Sequence, residues 1–492
     1  MAVATPPAES SPPVPPSGPP RRVPWAPLAL LALSILTLVG FFVYPTYPNY
    51  DSTYSMLWGR ELLDGRLPSF EAYRAPTQHP LAIVFGALLS LLGEGADRIM
   101  VLCTLASFVV LCAGVYRLGK VAFTPLVGFA AAAILCTRFD FPFLAARAYI
   151  DIPYLVFVVW AAAFELEQPR RGGRVWVLLV CAGLLRPEAW LLLGIYFLWC
   201  NTGPLTLADR ARTAVYTAIA PVVWVFTDYV VTGRPLFSLQ HTSGLAEELG
   251  RTKGLREVPS AMQHFFYNLD KKPVVYLGIV GALIALWITP RRIVMPVVLW
   301  LIGVGTFVMV GIAGLSVIDR YLLVPSLMVM LFAAVAVAGW TMLERGRLRT
   351  AWIVLAAAGV VYGAIFSATR VNFGTFDREL TLRGESHASL KRLLDDPRVR
   401  KGMACGPVSV PTHKLITDTR WILDAGEDQV VARSDDAQAK RIKRGVAIYA
   451  TSRSVLLRQA LVEDSDDPFD NIPMAGFTFI RSTGHFGAYV RC

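Results

Sequence analysis

Charge is scarce in this chain. Only 17% of its 492 residues are Asp, Glu, Lys or Arg, while 54% are hydrophobic. The mean hydropathy of +0.49 is too high for a soluble protein of this size and fits a polytopic membrane protein. Acids are scarcer than bases, 36 against 47, which leaves a formal net charge of +11. No basic stripe interleaved with aromatics occurs, so nucleic acid is not expected as a partner. The Arg and Lys residues fall instead in short loops between apolar runs, as membrane topology requires. Cysteine and histidine are few, seven and six, and no C-x-x-C spacing is present. Cys103, Cys112, Cys136, Cys181 and Cys200 lie in apolar stretches, where a thiol packs as a small hydrophobe. No internal repeat is evident, which argues against an inverted-repeat transporter.

What is present is a series of apolar runs. Residues 1–24 are rich in Pro, Ser and Ala and read as a disordered cytoplasmic tail. Arg21 and Arg22 precede a long apolar run with no clear small-residue cleavage site after it, so Trp25 to Tyr44 reads as a retained first span. Further candidates are 97–116, 121–137, 151–166, 174–186, 188–200, 213–231, 273–289, 293–313, 321–342 and 350–369, about eleven crossings in all. Residues 81–92 are ambiguous, and charge parity decides. If this segment lies flat, the loops carrying Arg21/Arg22, Arg117/Lys120, Arg170/Arg171/Arg174, Arg210/Arg212, Arg291/Arg292 and Arg345/Arg347/Arg349 share one side. That parity puts the Asp51 loop, the loop 138–150, the loop 232–272 and everything after Arg370 outside the cytoplasm, with the plasma membrane as the expected location. The loop 232–272, with His241 and His264, is long enough to act as a lid.

From about residue 371 the composition becomes that of a small soluble α/β domain running to 492. Ser386 to Arg400 reads as a helix. Met403 to Val410, Val446 to Thr451, Phe477 to Arg481 and Ala488 to Val490 read as strands. Cys405 and Cys492 are its only cysteines and would face an oxidising compartment, which leaves a disulfide between them open.

The chemistry concentrates in the outer breaks. Asp51 follows the first span directly. It is either a solvated loop acid or a general base, a role that needs a carboxylate within reach of an acceptor hydroxyl. Ser52 to Leu63 reads as an amphipathic helix in the headgroup plane, stopped by Gly65 and Pro68. Gln78, His79 and Pro80 then lead into the second flat segment, where His79 either donates to a phosphate or caps the helix. Asp151, in RAYIDIPYL, is the lone acid between Phe141 and Phe164. Its ordinary reading is a helix start; its functional reading is a second outward carboxylate sharing a substrate, or a divalent metal with Asp51. Arg186 and Glu188, in LLRPEAWLL, form either a tight external ion-paired turn or a phosphate site built on the planar guanidinium. Arg320, followed by Tyr321 at another short break, is either an interfacial anchor or a phosphate ligand.

Taken together, Asp51 with the WGRELLDGRLP helix, the QHPL stretch, AYIDIPYL and RYLLVP resemble the GT-C class of integral-membrane glycosyltransferases. The likeness is to the protein O-mannosyltransferase and aminoarabinose-transferase branch and covers about residues 25–370. It implies a catalytic base at Asp51. It also implies basic or metal groups, Mg or Mn among them, near Asp151 to hold the donor phosphate, with Arg186, Arg320 and His79 as the cationic candidates. His79 departs from the aminoarabinose branch, which has a lysine before that proline. No Trp-Trp-Asp signature of the oligosaccharyltransferase branch is present. The expected activity is inverting transfer of a monosaccharide from a polyprenyl-phosphate donor to a protein, lipid or glycan acceptor. The alternative from a different class is a non-enzymatic lipid or glycan transporter.

Overall fold

The computed structural model describes residues 25–170, 172–248, 254–370, 373–460 and 469–492. The segment expected as a disordered tail, 1–24, lies outside the described residues. Every apolar run singled out above is helical: Trp25–Val43, Ala96–Ala122, Pro125–Cys136, Asp151–Glu167, Gly173–Leu185, Ala189–Asn201, Leu207–Thr232, Lys272–Ile288, Val294–Ile312, Leu323–Ala338 and Arg347–Arg370. Among the described residues, six helices are individually long and apolar enough to cross a membrane, the fifth running from Asp319 to Met342. The 13-residue helices Gly173–Leu185 and Ala189–Asn201 are not among them. At about 1.5 Å per residue each reaches only about 20 Å, short of a hydrocarbon core of about 30 Å. The turn between them, which carries Arg186 and Glu188, therefore stays inside the helical body.

Helix Asp319–Met342 is the hub. It is 89% buried over its apolar window, and Leu322, Leu327, Met330, Leu331 and Val335 are sealed in the main core. Trp25–Val43 and Arg347–Phe366 bury none of theirs and offer apolar faces to lipid. This split is expected where helices pack by shape in a solvent as apolar as their own surfaces.

The first loop folds into two helices, Tyr50–Leu63 and Pro80–Ser90. They cross at glycines: a Cβ on Gly86 would lie 2.5 Å from the Ser55 carbonyl oxygen, and one on Gly59 would run into the backbone of Ala87. Only glycine permits so close a crossing. The outer face of Pro80–Ser90, with Val84 and Leu88, stays exposed. Residues Ser52 to Gly59 are buried throughout, because the far side of their helix packs on Ile416–Leu423 of the C-terminal domain.

That domain carries a five-stranded sheet, β1 (Val408–Val410), β2 (Val430–Ala432), β3 (Gly445–Ala450), β4 (Thr478–Ser482) and β5 (Phe486–Arg491), in the order β2-β1-β3-β5-β4. β1 pairs in parallel with β2 and β3, and β5 runs antiparallel to β3 and β4. Val408, Val410, Val446, Ile448, Phe486 and Ala488 pack against Leu390, Leu393 and Leu394 in one core. The helix expected at Ser386–Arg400 is two helices, Phe373–Leu394 and Pro397–Met403. Pro397 lacks an N–H and disfavours helical geometry at the residue before it. Asp396 uses the break to cap the second helix, accepting from the Arg398 amide at 2.8 Å. That second helix also shortens the strand expected from Met403, which begins only at Val408. Cys405 and Cys492 form a disulfide, with Cα atoms 5.3 Å apart.

Candidate active site

Asp51 stands in the first turn of helix Tyr50–Leu63, whose N-cap is Asn49. The Asn49 side chain accepts from the Ser52 amide at 3.1 Å, a standard way to satisfy an orphan donor at a helix start. The same residue ties this helix to a distant turn. Its backbone amide donates to the Arg147 carbonyl at 2.8 Å and its Nδ2 to the same oxygen at 3.1 Å. Ser52 Oγ donates to the Ala148 carbonyl at 2.5 Å. Ala148 adopts φ of 54°, in the left-handed region that alanine seldom enters. This stitching brings the start of the Asp51 helix beside the start of the Asp151 helix.

Asp151 has a fully buried side chain. Its Oδ1 pairs with Arg186 Nη1, and its Oδ2 lies 3.4 Å from Arg320 Nη1. The same Arg320 nitrogen lies 3.5 Å from Asp51 Oδ2. Arg186 is gripped from its other side by Glu188 Oε1, at 2.7 Å from Nη2 and 3.2 Å from Nε. The two arginines are therefore held differently. Arg186 is locked between two carboxylates with its side chain 9% exposed. Arg320 sits loosely between two acids at the long limit of hydrogen bonding, with 28% of its side chain exposed. Aromatic faces back both: Arg186 Cζ is 5.5 Å from the Tyr154 ring and 5.3 Å from the Tyr321 ring, and Arg320 Cζ is 5.3 Å from the Tyr149 ring.

Both arginines open onto a cleft. Arg186, Glu188, Arg320, Tyr154, Tyr321 and Thr306 form its polar wall, and Leu192, Leu299, Ile302 and Val324 its apolar wall. A polar headgroup with an apolar tail would find both environments there.

His79 is the N-cap of Pro80–Ser90 and makes no side-chain cap bond. Its ring meets Trp224 edge-on at 5.8 Å, and its Nδ1 is buried without a hydrogen-bond partner among the described residues. Burial drives its pKa down to about 4, against the pull of Asp51 in the other direction. At neutral pH it is an uncharged imidazole, able to donate one hydrogen bond and unable to supply a cation. Gln78 is directed elsewhere: its Nε2 donates to Asp228 Oδ1 at 3.3 Å, in a buried group with Ser238. The geometry thus gathers Asp51, Asp151, Arg186, Glu188, Arg320 and Tyr321, and leaves Gln78 outside the cluster.

Sequence reasoning passed over Tyr149, Tyr154 and Thr306. The two tyrosines carried a signal, since both flank Asp151 in AYIDIPYL and Tyr154 is one helical turn on. Thr306, in the middle of an apolar helix, carried none. For a divalent ion the residues fit poorly. Asp51 and Asp151 already have the Arg320 guanidinium between them, and no three His, Cys, Asp or Glu side chains gather among the described residues.

The chain shares its fold with solved structures of ArnT and of the oligosaccharyltransferase AglB. ArnT from Cupriavidus metallidurans, in a crystal structure bound to undecaprenyl phosphate, superposes with a TM-score of 0.54 at 12% identity, over 94% of this chain and 97% of that one. Its apo structure gives 0.54 at 14% identity, over 94% and 98%. The oligosaccharyltransferase AglB from Archaeoglobus fulgidus, in complex with an inhibitory peptide and a dolichol-phosphate, gives 0.54 at 12% identity, over 95% of this chain and 74% of that one. Another structure of the Archaeoglobus enzyme is a complex with Zn and sulfate. No protein-family profile and no curated protein matches the sequence. The apolar helices and these neighbours make the chain a multi-pass membrane protein with an α/β domain at its C-terminal end.

Proposed function

We propose that this protein is a glycosyltransferase that moves a monosaccharide from a polyprenyl-phosphate donor to an acceptor hydroxyl, with inversion, on the outer face of the plasma membrane. The observation that carries the reading is Arg320 suspended between Asp51 and Asp151 at the rim of a half-apolar cleft. Activated sugars are made in the cytoplasm, so an outward-facing enzyme needs a donor carried across on a lipid. The neighbours' ligands, undecaprenyl phosphate and dolichol-phosphate, are of that kind.

Asp51 takes the proton of the acceptor hydroxyl as its oxygen bonds to the anomeric carbon. The bond from that carbon to the phosphate oxygen breaks, and its electron pair leaves with the polyprenyl phosphate. Arg320, weakly held, turns to meet the growing negative charge, and the buried Arg186 adds a fixed positive field behind it. Asp151 orients both guanidiniums, and neutral His79 donates a single hydrogen bond. A direct displacement of this kind inverts the anomeric centre, and no covalent sugar–enzyme intermediate forms. Helices 25–370 form the catalytic body in this reading, and residues 371–492 cover it and help to hold the acceptor, a protein, lipid or glycan.

The test is to incubate the purified protein in lipid discs with a panel of polyprenyl-phosphate sugars and candidate acceptors. One donor should release free carrier in an acceptor-dependent way, with the opposite anomeric configuration in the product. Absence of release across the panel, or retention of configuration, contradicts the proposal.

A further inference from the structure

Glu188 lines the cleft beside the reacting groups and carries an unused hydrogen-bonding atom. Its Oε1 serves Arg186 through both contacts, while Oε2 is buried and has no partner among the described residues. Glu188 pairs with the Arg186 guanidinium as a carboxylate. A buried anionic oxygen with nothing to accept from is costly, and one on a residue that lines a cleft is satisfied when a ligand brings a donor. Phosphate cannot do this. The phosphodiester that links a sugar to its carrier offers only acceptors and negative charge, and beside Glu188 it would add repulsion. Three carboxylates, Asp51, Asp151 and Glu188, already face two guanidiniums in the cluster. The part of the proposed donor that has hydrogens to give is its sugar.

We infer that Glu188 is a specificity-determining residue: its Oε2 accepts a hydrogen bond from a hydroxyl of the transferred sugar, while Oε1 fixes Arg186. This rests on the glycosyltransferase reading and adds to it a division of the cleft. The phosphate belongs at the Arg320 end, where the guanidinium is loosely held. The sugar ring belongs at the Glu188 end, between the Tyr154 and Tyr321 rings that also line the cleft. A site built to hydrogen-bond a hydroxyl rejects an analogue that lacks it, because its own buried oxygen is then left unpaired.

The experiment compares wild type, Glu188→Gln and Glu188→Asp in lipid discs. It measures binding of polyprenyl-phosphate sugars, their singly deoxygenated analogues, and sugar-free polyprenyl phosphate. Aspartate keeps a charge for Arg186 but withdraws the oxygen by one methylene, so it separates reach from charge and serves as the second variant if glutamine does not fold. Wild type should bind the intact donor roughly 10- to 100-fold more tightly than one particular deoxy analogue. Both variants should lose that preference, and in both the loss of affinity should be roughly 10- to 100-fold on the intact donor and clearly smaller on sugar-free carrier. Equal weakening of sugar-bearing and sugar-free carrier by both variants would mean that Glu188 acts only through Arg186, and would overturn the inference. Unchanged discrimination in both variants would overturn it as well. If wild type binds sugar-free carrier but no sugar-bearing form more tightly, the sugar subsite is refuted and the carrier site stands. If it binds neither, the glycosyltransferase reading fails and this inference falls with it.

Discussion

Glu61 and Arg420 join the C-terminal domain to the helix that carries Asp51, and their removal makes a sharp prediction. Arg420 Nη2 lies 2.5 Å from Glu61 Oε1, with side chains 1% and 7% exposed. Breaking such a buried pair from one side costs about 3–5 kcal/mol, because a charge is stranded away from water. The neighbouring pair Arg60–Asp424, at 2.9 Å but with Asp424 74% exposed, is worth about 0–1 kcal/mol. The two halves of the buried pair should also differ. Without Arg420, Glu61 keeps the Ser69 amide at 2.8 Å and the Ser69 hydroxyl at 3.1 Å, and it can take up a proton. Without Glu61, Arg420 keeps, among the described residues, only the Ser69 hydroxyl and the Ala425 carbonyl as hydrogen-bond partners, each at 3.3 Å, and a guanidinium cannot shed its charge. Glu61→Ala should therefore lower the thermal midpoint more than Arg420→Ala, and the double variant should be less destabilised than the sum of the two. Thermal unfolding in detergent gives the double-mutant cycle, and limited proteolysis near residue 370 reports undocking. Because helix Tyr50–Leu63 has Asp51 at one end and Glu61 near the other, carrier release should fall with docking. Single losses below about 1 kcal/mol, with coupling below about 0.5 kcal/mol, would refute the clamp.

Three further outcomes follow from the same geometry. Arg320→Ala should slow single-turnover carrier release by about 10²–10³, the usual loss of one charge-stabilising donor, and Arg320→Lys should recover only part of it, since an ammonium lacks the planar fork; an unchanged rate would remove Arg320 from the mechanism. Replacing Cys405 and Cys492 by serine should cost about 2–5 kcal/mol, for a bond spanning 87 residues, read as a lower midpoint that reductant no longer shifts. His387 faces Asp418 at 2.9 Å and Asp97 at 3.7 Å, across the seam between the C-terminal domain and helix Ala96–Ala122, with the Tyr47 ring at 4.6 Å and Lys391 nearby on its own helix. Burial opposes its charge, but Asp418, their hydrogen bond and Asp97 prevail and raise its pKa. A raised folded-state pKa means this stabilisation is complete below the unfolded value of about 6.5 and is lost as pH rises through the folded value. Resistance of the seam to proteolysis should therefore fall on the alkaline side of about pH 6.5 in wild type and show no such step in His387→Gln.

The apolar runs could be read from the sequence because a helix in lipid must satisfy its own backbone. Trp25–Val43 and Val294–Ile312 fall within a residue or two of the stretches hydropathy marks. The site's acids and arginines could be read for the related reason that charge among apolar residues needs a use: Asp151, Arg186, Glu188 and Arg320 stand out against their surroundings. Their partnerships could not. That Asp151 holds two arginines, and that Glu188 faces Arg186 with only one oxygen, depends on four chain breaks far apart in sequence coming together. Hydrogen bonds such as Ser52 to Ala148, 96 residues apart, bring two of those breaks together. Nor could the buried character of helix Tyr50–Leu63 be read, because its covering partner, Ile416–Leu423, lies more than 350 residues on and has the composition of an ordinary surface helix. In the C-terminal domain β2 was missed for its length, three residues with no alternation to detect.

The most direct measurement is acceptor-dependent release of polyprenyl phosphate by Asp51→Asn, with folding checked by its thermal midpoint. Asparagine fills the same space and leaves Arg320 its contact with Asp151, so the fold should hold. If Asp51 is the base, release falls by about 10²–10⁴, the usual contribution of a positioned proton acceptor. Release at a near-normal rate from the folded variant would contradict the account.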